Sequence, residues 1–408
     1  MNFFHIHTLS LHRCRGGMLG AAARIMLALI VGAAAVACGG DDEIMTIYDG
    51  TDGSHRDKSN IYLTLNVEIA ENLAGQSGSV SRAGDDSYFF ERPLSQNEKL
   101  NDLRVIIVKS TDNAVEYNRR VEFNTDGSLK AGYTLTFKIT PGSKRIYLIG
   151  NDTALPENVK TDLAGIKAGQ GISTANLDNI RLSRSSTAPL YTSTQDIPMT
   201  EFFDIYIEPN PISDENKPTY LYKTFFVTRV ATKYTIETPE DYASLKIRLY
   251  DIATEQWLMP HDLVYSPGKY NPAAVINGIS GRAITSFATP QNTPVNNFEI
   301  EFKPTDRTTV TDSEGKFLCY RYPSFYLTES PTPDTGFQIS ALVNNSTIED
   351  ENGLIRDDWY GQTDFPNLPL LARNTHVVVR FIAKAGLHCV VDVVPYRGCT
   401  LEPYFGLE

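Results

Sequence analysis

The chain has 408 residues, 41% hydrophobic and 21% charged, with 37 Lys and Arg against 49 Asp and Glu and a formal net charge of −12. That acidity argues against a nucleic-acid partner, because such binding needs basic surface to neutralise phosphates. Of five cysteines, only Cys319, Cys389 and Cys399 stand in the body of the chain, an odd number and too few for a disulfide framework, and the length sets a soft expectation of two domains behind a leader.

In chain order the leader comes first, over residues 1–37. Ile25–Ala37 (IMLALIVGAAAVA) is an apolar run preceded by Arg13, Arg15 and Arg24. It is too short to span a bilayer comfortably and is patterned like the core of a signal peptide. It ends in Ala35-Val36-Ala37-Cys38, which resembles a bacterial lipobox, the cysteine of which is acylated (palmitate is one such acyl group) and becomes the mature N-terminus. An ordinary secretory signal with an incidental cysteine is the other reading, and either Met1 or Met18 serves as the start. The GGDDE that follows Cys38 resembles the surface-export signal of Bacteroidota lipoproteins and equally suits an acidic tether over residues 38–60. Without the three leader arginines, 34 basic residues face 49 acidic ones, a net charge near −15. No later segment is apolar enough to cross a membrane, so lipid on Cys38 is the expected attachment to an outer membrane.

Beyond the tether, alternation of period two dominates. Ile61, Leu63, Leu65, Val67 and Ile69 share one face, with Tyr62, Thr64, Asn66 and Glu68 opposite, as a half-buried strand requires. The next predicted strands are LRVIIVKS, VEYNRRVEFN, YTLTFKIT and KRIYLIGN, separated by turn signals at Asp126-Gly127 and Pro141-Gly142. Pro156–Ala168 carries weak helical spacing at Val159, Leu163 and Ile166, which predicts a short helix. IEPNPISDENKPTY (Ile207–Tyr220) is rich in proline, acid and asparagine and reads as a linker. Strands resume with KTFFVTRVATKYTIE, SLKIRLYDI, NFEIEFKP, KFLCYRYPSFYLTE, GFQISALV and THVVVRFIAK. Short strands with few helices predict an all-β chain of two tandem β-sandwiches. The expected layout is an N-terminal sandwich over 61–210, a linker over 211–222, a C-terminal sandwich over 223–388 and terminal strands over 389–408.

Catalytic chemistry finds little footing. After the leader the histidines are His55, His261, His376 and His388; none forms a His-x-x-x-His pair, and no Cys-x-x-Cys pair accompanies them. There is no Gly-x-Ser-x-Gly elbow and no phosphate-cradling glycine loop. The chain therefore reads as a non-enzyme with no cofactor. His376 and His388 are expected as core or surface imidazoles, Trp257 and Trp359 as core or interface residues. Cys14 lies in the leader; of Cys319, Cys389 and Cys399, the last two either pair across a bend or sit as small core residues.

Several of these stretches together resemble the fimbrillin family, the subunits of type V pili of Bacteroidota. PGSKRIYLIGN is similar to the family's glycine-basic turn and the strand after it, which ends in Asn; DIPMT is similar to its Pro-Met-Thr/Ser segment. VTRVATKYTIE resembles the arginine- and lysine-bearing strand that opens the second domain, and PSFYLTES its Phe-Tyr-x-x-Glu strand. LPLLARNTHVVVRFIAK resembles the Arg-Asn turn into a late strand, and VDVVPYRGCTLEPYFGLE the ending, with Tyr396 where many members have Trp. The matches run in order across most of the chain behind the lipobox.

The resemblance implies two transthyretin-like sandwiches, export as a surface lipoprotein, and assembly with other fimbrial subunits in support of adhesion and biofilm. It also implies an arginine-specific protease that cuts after the first strand, whose loss opens a groove for another subunit's C-terminal strand. SVSRAG supplies the bond Arg82-Ala83 in a Gly/Ser-rich stretch of the kind proteases nick, and Ile61, Leu63, Leu65, Val67 and Ile69 form the strand to be released. In TLEPYFGLE, Leu401, Pro403, Phe405 and Leu407 share one face, suited to adding a strand in trans. That tail favours a shaft or tip subunit. The other readings are an anchor that keeps its lipid and its first strand, and a surface glycan-binding lipoprotein.

Overall fold

The computed structural model describes residues 60–69, 95–209, 217–260, 275–276, 279–280, 293–330, 338–349, 353–361, 373–383, 387–394 and 399–400. The chain divides into 1–56, outside the described residues, and one unit over 57–408. That unit opens with β1 (Ile61–Ile69), β2 (Asp102–Lys109), β3 (Val115–Glu122), β4 (Thr136–Ile139) and β5 (Gly142–Gly150). Helices α1 (Glu157–Gly165) and α2 (Thr174–Asp178) follow. Then come β6 (Arg181–Ser183), β7 (Tyr191–Thr192), β8 (Met199–Ile207), β9 (Thr219–Arg229), β10 (Thr232–Thr238), β11 (Leu245–Ala253) and β12 (Glu255–Trp257). β13 (Val275–Ile276), β14 (Ile279–Ser280), β15 (Val295–Phe302), β16 (Thr308–Thr311), β17 (Phe317–Arg321) and β18 (Phe325–Leu327) are next. The last are β19 (Ile339–Val343), β20 (Thr347–Glu349), β21 (Ile355–Asp357), β22 (His376–Ala383), β23 (Leu387–Val394) and β24 (Cys399–Thr400).

The predicted alternation is the observed one. In β1 the odd-numbered residues are 0–3% exposed, and the turn glycines Gly127 and Gly142 sit at φ of 88° and 106°, where a side chain would be strained. Helix α1 buries Val159 and Leu163, two members of the predicted stripe.

The first large sheet runs β24-β1-β9-β8-β5-β2-β3, with β4 also on β1. β8 meets β9 only at Met199–Arg229 and Thr200–Thr228. Beyond that corner the sheet opens into two layers, β1, β4 and β9 facing β2, β3, β5 and β8 across one apolar core. Phe203 bridges the layers, its ring 4.8 Å from Phe225 and 5.2 Å from Phe226. A second sandwich sets the sheet built on β10 against β15-β11-β19, around Tyr234, Ile247, Phe298, Phe325 and Val379. A third core joins the outer face of the first sandwich (Ile106, Tyr147, Phe202) to α1, Leu258, Met259 and Tyr326.

Two features of the pairing depart from a simple tandem reading. The run Lys223–Glu237 is two strands, and β9, which begins inside the expected linker at Thr219, belongs to the first sheet while β10 belongs to the second. The chain crosses between them at Val230 and Ala231, both fully buried. Conversely β7, from the first half, pairs with β18 in the second sheet. Strand partners that lie far apart in sequence decide both.

Asn151, which directly follows β5, sits in the left-handed region at φ 54° and is fully buried. Its amide nitrogen donates to Lys99 O at 2.8 Å and Ile197 O at 2.9 Å, and its oxygen accepts from the Asn101 amide at 2.8 Å. Asn151→Ala is expected to cost roughly 3–5 kcal/mol, from left-handed strain plus buried groups left bare. Asn151→Gly, free of the strain, should cost about 1 kcal/mol less, as read by urea denaturation.

Candidate functional site

β1 lies between neighbours on both edges. On one side it pairs in parallel with β9 along its whole length, from Ile61–Thr219 to Ile69–Val227. On the other side β4 pairs antiparallel with Ile61–Thr64, the Leu65 amide donates to Leu135 O at 3.1 Å, and β24 pairs antiparallel at Glu68–Thr400 and Ile69–Cys399. The five inward side chains of β1 are all in the first core. Fully burying five such groups is worth roughly 8–15 kcal/mol at the usual 1.5–3 each, on the scale of a whole domain's stability. The outward face carries Tyr62 stacked on Tyr220 at 5.3 Å and the Thr64–Thr136 hydroxyl pair at 2.9 Å.

A small pocket on this side of β1 is lined by Leu65, Asn66, Val67, Phe123, Leu129 and Leu135. The side-chain oxygen of Asn66 is buried and has no hydrogen-bond partner among the described residues.

Of the residues expected from sequence, Ile61, Leu63, Leu65, Val67 and Ile69 are thus brought together as one buried row. Cys38, Arg82, Ala83, Leu401, Pro403, Phe405 and Leu407 lie outside the described residues. The pairing of Cys389 with Cys399 is not made: Cys389 is a buried free thiol inside the second core, and burial pushes its pKa up. A thiol so placed reacts slowly, so native protein should leave Cys389 unlabelled by iodoacetamide while urea-unfolded protein labels it. His376 is buried, its Nε2 2.9 Å from the Thr235 hydroxyl. Arg181 lies over the Trp257 ring at 4.9 Å and Arg248 over Trp359 at 4.0 Å. Among the described residues no cluster of His, Cys, Asp or Glu has the makings of a metal site, and no helix is long and apolar enough to cross a membrane.

What residue-by-residue reading missed is a buried polar seam between the two large sheets. Glu98, ahead of β2, is fully buried and meets Lys233 of β10 at 2.5 Å and the Tyr326 hydroxyl of β18 at 2.8 Å. Arg229, at the end of β9, donates to Asn374 Oδ1 at 3.2 Å and Glu98 O at 3.3 Å. Arg373 forms an ion pair with Glu329 through Nε at 3.0 Å, and also donates to Trp257 O at 2.6 Å and Leu258 O at 2.9 Å. Burial raises the Glu329 pKa, and Arg373 opposes that rise. The available signal was charge standing among apolar residues in strand-patterned runs, as in FVTRVATKY and LLARNTHVVV.

No family model and no curated protein matches the chain. Solved structures do. The tip fimbrial protein Mfa3 from Porphyromonas gingivalis, with C-terminal truncation, is 12% identical, over 83% of this chain and 99% of that one, with a TM-score of 0.41. The fimbrial anchor protein Mfa2 from the same organism is 11% identical, over 83% and 98%, with a TM-score of 0.36. A fimbrial assembly protein from Parabacteroides distasonis is 8% identical, over 82% and 98%, with a TM-score of 0.38. These are remote likenesses and carry no functional argument by themselves. Each of these three solved structures, to which this chain is similar, is described as a fimbrial protein, and others it resembles are described as putative cell adhesion proteins.

Proposed function

We propose that the chain is a structural subunit of a cell-surface fimbria rather than an enzyme. In this reading it is exported as a lipoprotein on Cys38 and polymerises by donor-strand exchange. An arginine-specific protease cuts Arg82-Ala83, β1 leaves, and Leu401, Pro403, Phe405 and Leu407 of another subunit fill the groove. The observation that supports this is β1 itself. It is hydrogen-bonded on both edges and buries five apolar side chains, and the Gly/Ser-rich stretch holding Arg82 follows it in sequence. Its loss would bare the edges of β4 and β9 together with a core face, a template for an added strand.

The test is the N-terminus of the protein in outer membranes and in sheared surface filaments, by intact mass and sequencing. Filament subunits beginning at Ala83 are expected. Subunits that always begin at acylated Cys38 would overturn strand release and leave the anchor reading. A glycan-binding lipoprotein is the rival favoured by the exposed Tyr220 and Tyr222, 53% and 65% accessible. Retention on polysaccharide that Tyr222→Ala abolishes would support that rival instead.

A further inference from the structure

Arginine and lysine occupy different parts of this fold. Of the thirteen arginines among the described residues, ten lie inside β-strands. The other three stand in connections with their side chains held down. Arg184 is buried and donates to Ala253 O at 3.0 Å, Ile252 O at 3.1 Å and Asn296 Oδ1 at 2.7 Å. Arg307, its side chain 11% exposed, meets Asp241 at 2.6 Å and lies over the Tyr320 ring at 3.8 Å. Arg373 is the buried partner of Glu329. Lysine is placed the other way: Lys130, between β3 and β4, Lys167, after α1, and Lys316, between β16 and β17, all stand exposed in connections. The chemistry of the two cations accounts for this. A guanidinium is weakly hydrated and forks onto carboxylates, so it suits buried pairs, whereas an ammonium holds its water. Arg104 and Arg120 converge on Asp152 at 2.7 and 2.8 Å, and Arg321 and Arg380 on Glu237 at 2.9 and 3.2 Å.

An endoprotease takes its substrate as an extended, unpaired segment, so a bond inside a ladder is cut only from the opened state. Opening a strand costs a free energy that rises toward that of global unfolding in the core, while exposed connections are where nicking concentrates. Even the two exposed strand arginines sit in ladders. Arg181 is opposite Trp257 in β6–β12 and pairs with Glu255 at 3.1 Å, and Arg356 is opposite Ile348 in β20–β21. We infer that the described body of the folded chain is closed to an arginine-specific protease and open to a lysine-specific one. Resting on the processing proposed above, the selectivity of the maturation cut is then a property of the fold. The body withholds its own arginines from the protease, so no recognition sequence around Arg82 is needed to spare them. Arg56, Arg82, Arg92, Arg282 and Arg397 lie outside the described residues, and the inference does not extend to them.

The test digests the full folded chain with endoproteinase Arg-C or endoproteinase Lys-C, the two matched for rate on the urea-unfolded chain. Fragment masses over time identify each cut. Lys-C is expected to cut after Lys130, Lys167 or Lys316 at least roughly tenfold faster than Arg-C cuts after any of the thirteen arginines. The variants Lys167→Arg and Lys316→Arg keep the charge and place an arginine in an exposed connection. Each should gain an Arg-C cut at that position, at a rate close to that of the Lys-C cut it replaces. Cutting after Arg181, Arg356 or any other described arginine as fast as after the exposed lysines would overturn the inference. So would a folded chain that Lys-C also leaves whole, since the body would then resist both enzymes alike. Arg-C passing over both new arginines while Lys-C cuts the parent lysines would overturn it too, because neighbouring sequence would then be deciding. A chain that keeps its described arginines uncut, yet whose filament form does not begin at Ala83, would disprove the proposed processing and leave the partition standing.

Discussion

A chain made to begin at Ala83 is expected to lose the structure of its first sandwich. The deletion removes the five side chains of β1 from the core and one partner each from β4 and β9, a loss of roughly 8–15 kcal/mol before relaxation. Few single-chain domains have more than that to lose. Hydrogen exchange should show β4 and β9 unprotected while β10, β11 and β22 of the second sandwich keep their protection. A synthetic peptide of residues 60–69 should restore β4 and β9. The decisive comparison is a peptide of residues 399–408. Restoration by both peptides is what donor-strand exchange requires. Restoration by the first alone would mean that β1 is a structural strand that the C-terminus does not replace.

The second large effect is expected at the seam. Arg373→Ala should destabilise the protein by about 3–5 kcal/mol, the usual consequence of leaving a buried charge without its partner. Glu329 is fully buried and would lose its ion pair, while the carbonyls of Trp257 and Leu258 would lose a donor. Glu329→Gln keeps an acceptor for the guanidinium and removes the buried negative charge, so it should cost less than Arg373→Ala. Urea denaturation followed by tyrosine fluorescence measures both. A cost below about 1 kcal/mol for Arg373→Ala would mean that the seam is hydrated and the pair screened.

The seam also joins stretches that are spread along the chain. Arg229 and Lys233 in VTRVATKYTIE, Glu329 in PSFYLTES and Arg373-Asn374 in LARNTH come from distant stretches, and they converge where the two large sheets meet. In sequence each looks like a solvated strand residue. Burial turns each into a group that must find a partner.

Sequence alone determined many of the longer strands, though not β8, together with the inward face of β1, the turns at Gly127 and Gly142, and the helix over Val159 and Leu163. These depend on periods of 2 and 3.6 and on residues suited to positive φ, all local properties that survive being read one segment at a time. Only the tertiary structure decided that β1 pairs in parallel with β9, that the chain crosses between sheets at Val230–Ala231, that β7 joins the second sheet, and that β24 comes home to the edge of β1. Pairing energy depends on which distant strand is brought alongside, and an alternating pattern marks which face is buried without naming the partner that covers it.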